Sequence, residues 1–296
     1  LAIDPELMMR TAHARGRDLP QAPGVTMPHL DIAPGEALYY EYDAPGAAGA
    51  TFVFVNALTG NTGTWQHADI GPRLRAAGYG TLAWNFRGQA QTRFGAQTAL
   101  TPRLVVEDLQ RVVAHAKPPK PIVVGLSIGG LFAAQAVLAG MPADSLVLIN
   151  TLRKPGPRLE WINQATVALA RAGGTRIVME ANLPQLVNPD QLAAMRSGVF
   201  SAEPYQPMDR ADGLYRLLEG SLAADWDFPW EKLRLPVLSM TGLHDRVFYV
   251  AADVEELAAR LPDLRRVELK DAGHLIPIER PQAFARALLE FARDVI

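Results

Sequence analysis

Three side chains in this sequence, Ser127, Asp245 and His274, have the types needed for nucleophilic attack on a carbonyl. A serine hydroxyl is a weak nucleophile until a base takes its proton, and imidazole is suited to that task near neutral pH. A carboxylate on the other ring nitrogen fixes the tautomer and stabilises the imidazolium. Ser127 stands in "GLSIGG", a Gly-x-Ser-x-Gly pattern, where the apolar run "PIVVGL" meets the small-residue segment "IGGLFAAQAVLAG". Glycines two before and two after the serine leave room for a sharp turn that lifts the hydroxyl clear of a sheet. A helix beginning there aims its free amides and its positive dipole end at the same spot, which suits a nucleophile whose attack creates an oxyanion.

The base and its acid follow from where the other residues fall. Six histidines are available: His13, His29, His67, His115, His244 and His274. His13 and His29 precede the core, His115 lies on an amphipathic helix, and His67 begins a segment better suited to capping or packing. His274, in "KDAGHLIPIERP", follows the last strand pattern and falls on a loop at that strand's carboxyl end. Parallel strands bring their carboxyl ends together, so this loop can meet Ser127. Asp245 ends "PVLSMTGLHD" at another such end. Asp271 is nearer in sequence to His274 but need not face its ring, and Asp225 and Asp227 are further candidates.

These residues need a scaffold, and the hydrophobic periodicity supplies one. "TFVFVNAL", "YGTLAWNFRG", "PIVVGLS", "SLVLIN", "PVLSMTGLHD" and "RRVELKDAGH" read as strands. Most are short, nearly continuous apolar runs, as expected of strands buried on both faces. "GEALYYEYDA" pairs as an edge hairpin with "VTMPHLDIA". Helical patterns alternate with them: "TWQHADIGPRLRAAG", "TPRLVVEDLQRVVAHAK", "YVAADVEELAARLP" and "PQAFARALLEFARDVI". The opening "LAIDPELMMRTAHARGRDL" reads as a helix or an ordered arm. The alternation predicts an α/β fold with a mostly parallel, doubly wound sheet and right-handed crossovers. It breaks at Thr151 and resumes near Leu235. Residues 151–230 carry helical pieces and no defensible strand, so they form a helical cap insertion between core segments 1–150 and 231–296.

Composition narrows the function classes. The chain has 296 residues, 49% of them hydrophobic, and a formal net charge of −2. Such a balance gives no basic face for nucleic acid. No apolar run reaches the roughly 18 residues of a membrane span. The absence of Cys removes disulfides and thiolate metal sites. A cytoplasmic location is expected, for a chain whose first residue, Leu, suggests trimming.

Taken together, "GLSIGG", "TGLHDRVF" and "AGHLIPIERP", in the order Ser127, Asp245, His274, resemble the α/β-hydrolase superfamily, of the cap-bearing serine esterase and lactonase type. "NFRGQAQT" is similar, with changes, to the family segment D-x-R-G-x-G-x-S. "VNALTGNTGTW" takes the place of its His-Gly oxyanion loop. Here Asn56-Ala57 replaces His-Gly, and Asn85 replaces Asp. The resemblance implies a backbone oxyanion hole formed by the amides of Leu58 and Ile128. Ala57 in place of Gly restricts the backbone there, because Ala tolerates positive φ poorly. Asn56 or Thr59 can add a side-chain hydrogen bond or brace the loop. A serine at the elbow argues against the dehalogenase and epoxide-hydrolase relatives, which use a carboxylate nucleophile.

The expected function is hydrolysis of a carboxylic ester through an acyl-enzyme, without metal or organic cofactor. A lactone, a thioester or a carbon–carbon bond could be cleaved with the same triad. Acyl transfer to an alcohol and a non-catalytic receptor on this fold are the alternatives. The partner is a small-molecule acyl substrate, apolar in character. Its pocket is expected from Trp161, Tyr215 and the methionines Met141, Met179, Met195 and Met208, which serve equally well as packing.

Overall fold

The computed structural model describes residues 29–66 and 69–296. The expected N-terminal helix or arm, with His13, and His67 lie outside these residues. An eight-stranded sheet forms the centre: β1 (His29–Ala33), β2 (Glu36–Asp43), β3 (Thr51–Val55), β4 (Gly80–Trp84), β5 (Pro121–Leu126), β6 (Ser145–Ile149), β7 (Val237–Gly242) and β8 (Leu264–Leu269). Their order across the sheet is β1-β2-β4-β3-β5-β6-β7-β8. The β1–β2 and β2–β4 pairs are antiparallel and the rest parallel. The expected edge hairpin is therefore present, and only β2 runs against the other seven strands, whose carboxyl ends point the same way.

Nine helices surround the sheet among the described residues. They are α1 (Gly71–Ala76), α2 (Pro102–Ala116), α3 (Ile128–Leu138), α4 (Pro157–Leu186), α5 (Pro189–Val199), α6 (Gly213–Ser221), α7 (Ala251–Ala259), α8 (Ile276–Glu279) and α9 (Pro281–Val295). Local chemistry sets several ends. The Thr101 hydroxyl accepts from the Leu104 amide, Pro102 follows at the first position, and Lys117 closes α2 in the left-handed region. Where the sequence suggests one helix over "TWQHADIGPRLRAAG", the chain makes a 3₁₀ turn at Thr62–Thr64 and only then α1. Pro72 in the first turn of α1 favours a fresh start there.

The central strands alternate their side chains between two cores, as a two-residue period requires. Val53, Val55, Val123, Leu146 and Leu148 pack with Leu109 and Phe132 on one face. Phe52, Phe54, Val124, Val147 and Ile149 pack with Trp65, Phe284 and Leu288 on the other. Burial on both faces explains why these strands read as continuous apolar runs. Helix α3 is buried along most of its length, hence its run of small and apolar residues. Between β6 and β7 the chain forms α4, α5 and α6, with one 3₁₀ turn at Trp230–Lys232 and no strand. Helix α4 bends at Gly174, whose φ of 75° breaks the helical path.

Candidate active site

Ser127 follows β5 and precedes α3, with φ 61° and ψ −127°. A side chain other than glycine in that region is strained by about 1–3 kcal/mol and persists only where its surroundings hold it. The Ser127 amide donates to the Ile149 carbonyl at 2.7 Å. The Thr151 hydroxyl donates to the Ser127 carbonyl at 2.9 Å. Gly129 permits the close approach of α3 to the loop after β3, because a Cβ there would run into the Asn56 carbonyl.

Asp245 follows β7 and His274 follows β8. The two are 2.6 Å apart, Asp245 Oδ2 to His274 Nδ1, and both are buried. Asp245 Oδ1 also accepts the amides of Val247 and Phe248, at 3.0 and 2.8 Å. Burial alone would raise the Asp245 pKa. The charge and hydrogen bond of His274, the Phe248 amide and the charge of Arg153 outweigh it and hold the carboxyl below its usual range. The imidazole Nε2 makes no hydrogen bond among the described residues. Asp271, the alternative acid, binds Arg280 at 2.8 Å instead.

The His274 loop is fixed from three sides. Its amide donates to the Leu186 carbonyl at the end of α4, at 2.6 Å. Asn150 Nδ2 donates to the carbonyls of Gly273 and His274 at 3.0 and 2.9 Å. The buried Glu279 accepts the amides of Gly273 and Leu275, each at 2.9 Å, and that of Asn188, between α4 and α5, at 2.7 Å.

The loop after β3 is braced by side chains. Asn56 Oδ1 accepts from Trp65 Nε1 at 2.6 Å, and Asn56 Nδ2 faces the Trp84 carbonyl, Asn85 and Gln89. Asn56 is therefore occupied in the loop interior and not turned toward a ligand. Gln89 Nε2 donates to the carbonyls of Ala57 and Leu58 at 2.8 and 3.0 Å, while its Oε1 accepts the Phe86 amide. The amides of Leu58 and Ile128 donate to no protein acceptor among the described residues. For Ile128, at the start of α3, that is the normal condition of a helix N-terminus.

The remaining expected pocket residues separate. Tyr215 is buried in a cluster with Ala170 and Leu218, against Leu58. Trp161 is 78% exposed, so its ring faces solvent and not the Ser127 cluster. Thr59 is exposed as well. Met141 packs in the α/β core and not in the cap, because the turn that carries it lies beside α3 and β6. Met195 and Met179 pack within one cap cluster and Met208 in another.

Sequence reasoning missed Arg153. It lies just past the carboxyl end of β6, is 6% exposed, and donates from Nη2 to Ser127 Oγ at 2.7 Å and to the Asn150 carbonyl at 2.9 Å. Its guanidinium lies over Phe248 at 3.9 Å and Trp226 at 5.1 Å. Burial pushes its pKa down to about 10, against the opposing charge of Asp245. The only available signal was an arginine in "NTLRKP", directly after a strand whose end faces the serine turn. Gln89, Asn150 and Glu279 were missed for a related reason: each acts by holding backbone.

Chemically, the arrangement comprises a buried Asp–imidazole pair with a free Nε2, a serine on a strained turn whose hydroxyl accepts from Arg153 and makes no hydrogen bond to His274 among the described residues, and two unpaired amides, that of Ile128 at a helix N-terminus. Those parts can support a tetrahedral, negatively charged intermediate. Among the described residues, no group of three or more His, Asp or Glu could hold a metal ion. Among those residues too, no helix is long and apolar enough to cross a membrane.

Comparison with known proteins agrees with this architecture. The chain is 27% identical over 264 residues to a Mycobacterium tuberculosis protein named as a non-heme bromoperoxidase, BpoC, covering 86% of this chain and 97% of that one. It is 24% identical over 268 residues to 3-oxoadipate enol-lactonase 2 of Acinetobacter baylyi, covering 89% and 94%. The solved structure of the esterase EaEST of Exiguobacterium antarcticum superposes with a TM-score of 0.74 at 16% identity, over 90% of this chain and 100% of that one. The family model described as the alpha/beta hydrolase family matches residues 52–287, which run from β3 through β8 and hold the helices between them, and the chain belongs to that family.

Proposed function

We propose that this protein is a serine hydrolase that cleaves a carboxylic ester through an acyl-enzyme on Ser127. The observation that carries this reading is the buried 2.6 Å contact between His274 Nδ1 and Asp245 Oδ2, with Nε2 left free. His274 takes the Ser127 proton as Oγ bonds to the acyl carbon. The amides of Leu58 and Ile128 hold the oxyanion. The intermediate collapses with loss of the alcohol, to which His274 returns the proton. Water, deprotonated in turn by His274, then releases the acid and regenerates Ser127. These steps use no metal or organic cofactor. A lactone passes through the same steps, and the esterase and enol-lactonase names among the relatives support an acyl–oxygen bond as the target.

Residues 151–230 act as a cap over this chemistry, and segments 1–150 and 231–296 supply the core. The contacts of Leu186 and Asn188 with the His274 loop and its Glu279 clamp, and of Tyr215 with Leu58, support that division. Reaction with a fluorophosphonate tests the reading. One adduct per chain, mapped to Ser127 by peptide mass and prevented by Ser127→Ala, is expected. An unlabelled chain, or a label elsewhere, overturns it.

A further inference from the structure

Arg153 carries a charge that the ester-cleavage steps above do not use. Arginine is almost never fully buried unless it is paired, because stripping water from a cation is costly. Here the guanidinium is 6% exposed, and no carboxylate lies within ion-pairing distance among the described residues. Its hydrogen-bonded acceptors are both neutral: the Ser127 hydroxyl and the Asn150 carbonyl. Nε is buried with no acceptor at all. Asp245, the nearest carboxylate in effect, is already occupied by His274 and two amides.

The surroundings hold the guanidinium in place without neutralising it. Phe248 at 3.9 Å and Trp226 at 5.1 Å offer their ring faces, which attract a cation and fix its plane. The Trp226 indole Nε1 is likewise buried without an acceptor. The cavity against Arg153, bordered by Thr241, Phe248 and Tyr249, is about 10 Å³, room for about one water. A planar fork with free donors is the geometry that grips a carboxylate through two parallel hydrogen bonds.

We propose that Arg153 is an anion-binding subsite beside the nucleophile, and that the preferred substrate is an ester or lactone whose acyl part carries a carboxylate. The proposal rests on the reading of Ser127 as nucleophile. Because Nη2 is 2.7 Å from Ser127 Oγ, the atom that bonds to the acyl carbon, the carboxylate must be close to the scissile carbonyl. Roughly two to three bonds separate them, given ordinary bond lengths. A carboxylate in that position offers the fork a charged acceptor in place of the serine hydroxyl, and frees the hydroxyl to face His274. The pocket is then not uniformly apolar: its acyl end is cationic.

The test compares monomethyl succinate with methyl levulinate, which replaces the carboxylate by a methyl ketone of similar size. Methanol release gives kcat/KM for each. Wild type is expected to favour the succinate ester, and Arg153→Met to lower that preference on the order of 100-fold. Arg153→Lys, which keeps the charge but not the fork, should fall between. Equal losses on both esters, or no wild-type preference, overturn the subsite. Binding of sodium succinate to the folded protein, read by calorimetry, supplies a measurement independent of turnover. Wild type and Ser127→Ala should bind it, and Arg153→Met should bind at least about 10-fold more weakly, with circular dichroism confirming the fold. Absence of succinate binding in a protein whose Ser127 reacts with fluorophosphonate removes the subsite alone. Succinate binding in a protein whose Ser127 does not react removes the hydrolase reading alone.

Discussion

The backbone amide of His274 donates to the Leu186 carbonyl at 2.6 Å, so the loop that holds the imidazole is fastened to the last turn of the long helix α4. In the proposed mechanism the insertion thereby helps to set the base. Gly273 makes the approach possible, since a Cβ there would collide with the same carbonyl. Gly273→Ala should push the loop away from α4. Displacing a catalytic group by about 1 Å costs on the order of 100-fold in rate. Steady-state kinetics should show that loss mainly in kcat, with the far-UV spectrum unchanged. Full activity in the variant would mean that the contact does not position His274.

Glu279 is the second fastening. It gathers the amides of Gly273, Leu275 and Asn188 on one buried carboxyl. Glu279→Ala leaves three donors without an acceptor, at roughly 1–3 kcal/mol for each that stays buried. Denaturant unfolding should show a loss of at least about 2 kcal/mol, accompanied by lower kcat because the His274 loop loosens. Glu279→Gln, which keeps an acceptor oxygen, should recover part of both.

Gln89 tests the proposed oxyanion loop. Its amide nitrogen holds the carbonyls of Ala57 and Leu58, and so sets the tilt of the peptide groups beside the Leu58 amide. Losing one aligned oxyanion donor costs about 100- to 1,000-fold in kcat. Gln89→Leu misaligns the donor without deleting it and should cost about 10- to 100-fold, with KM little changed. A change confined to KM would place Gln89 in substrate binding instead.

The Asp245 carboxyl has a pH signature. Its folded-state pKa lies below the ordinary carboxylate value, so its contribution to stability is present above that ordinary value and is lost as pH falls through the folded one. Asp245→Asn removes this contribution. Thermal unfolding should therefore show a gap between wild type and variant that is full at neutral pH and shrinks as pH falls below about 4. At neutral pH the variant should also lose kcat by about 10⁴-fold, because the wrong imidazole tautomer is favoured. Asp271→Asn, which breaks only an exposed contact with Arg280, should alter neither much.

Much of this was legible in the sequence, because it depends on period and punctuation. β3, β5 and β6 are buried on both faces and so are written as continuous apolar runs. Ser127, Asp245 and His274 fall where strands end, and strand ends in a parallel sheet face one another. What the sequence did not display are residues whose roles depend on close approach between distant segments. Gln89 meets Ala57, Glu279 meets Asn188, and Arg153 meets Ser127 only because the sheet and cap bring them together. Trp161 misled for the complementary reason. A bulky aromatic in an apolar stretch resembles a pocket wall, and only the packed helix turns it outward. Asn56 could be read toward a ligand or into the loop until Trp65 and Gln89 were seen to occupy it.

The most direct measurement is hydrolysis of a short p-nitrophenyl ester by Ser127→Ala beside wild type. Removing the nucleophile should lower kcat/KM by about 10⁴-fold or more, with the circular dichroism spectrum and melting temperature close to those of wild type. A folded Ser127→Ala protein that still turns over the ester at near wild-type rate would contradict the account, since no acyl-enzyme on Ser127 could then be responsible.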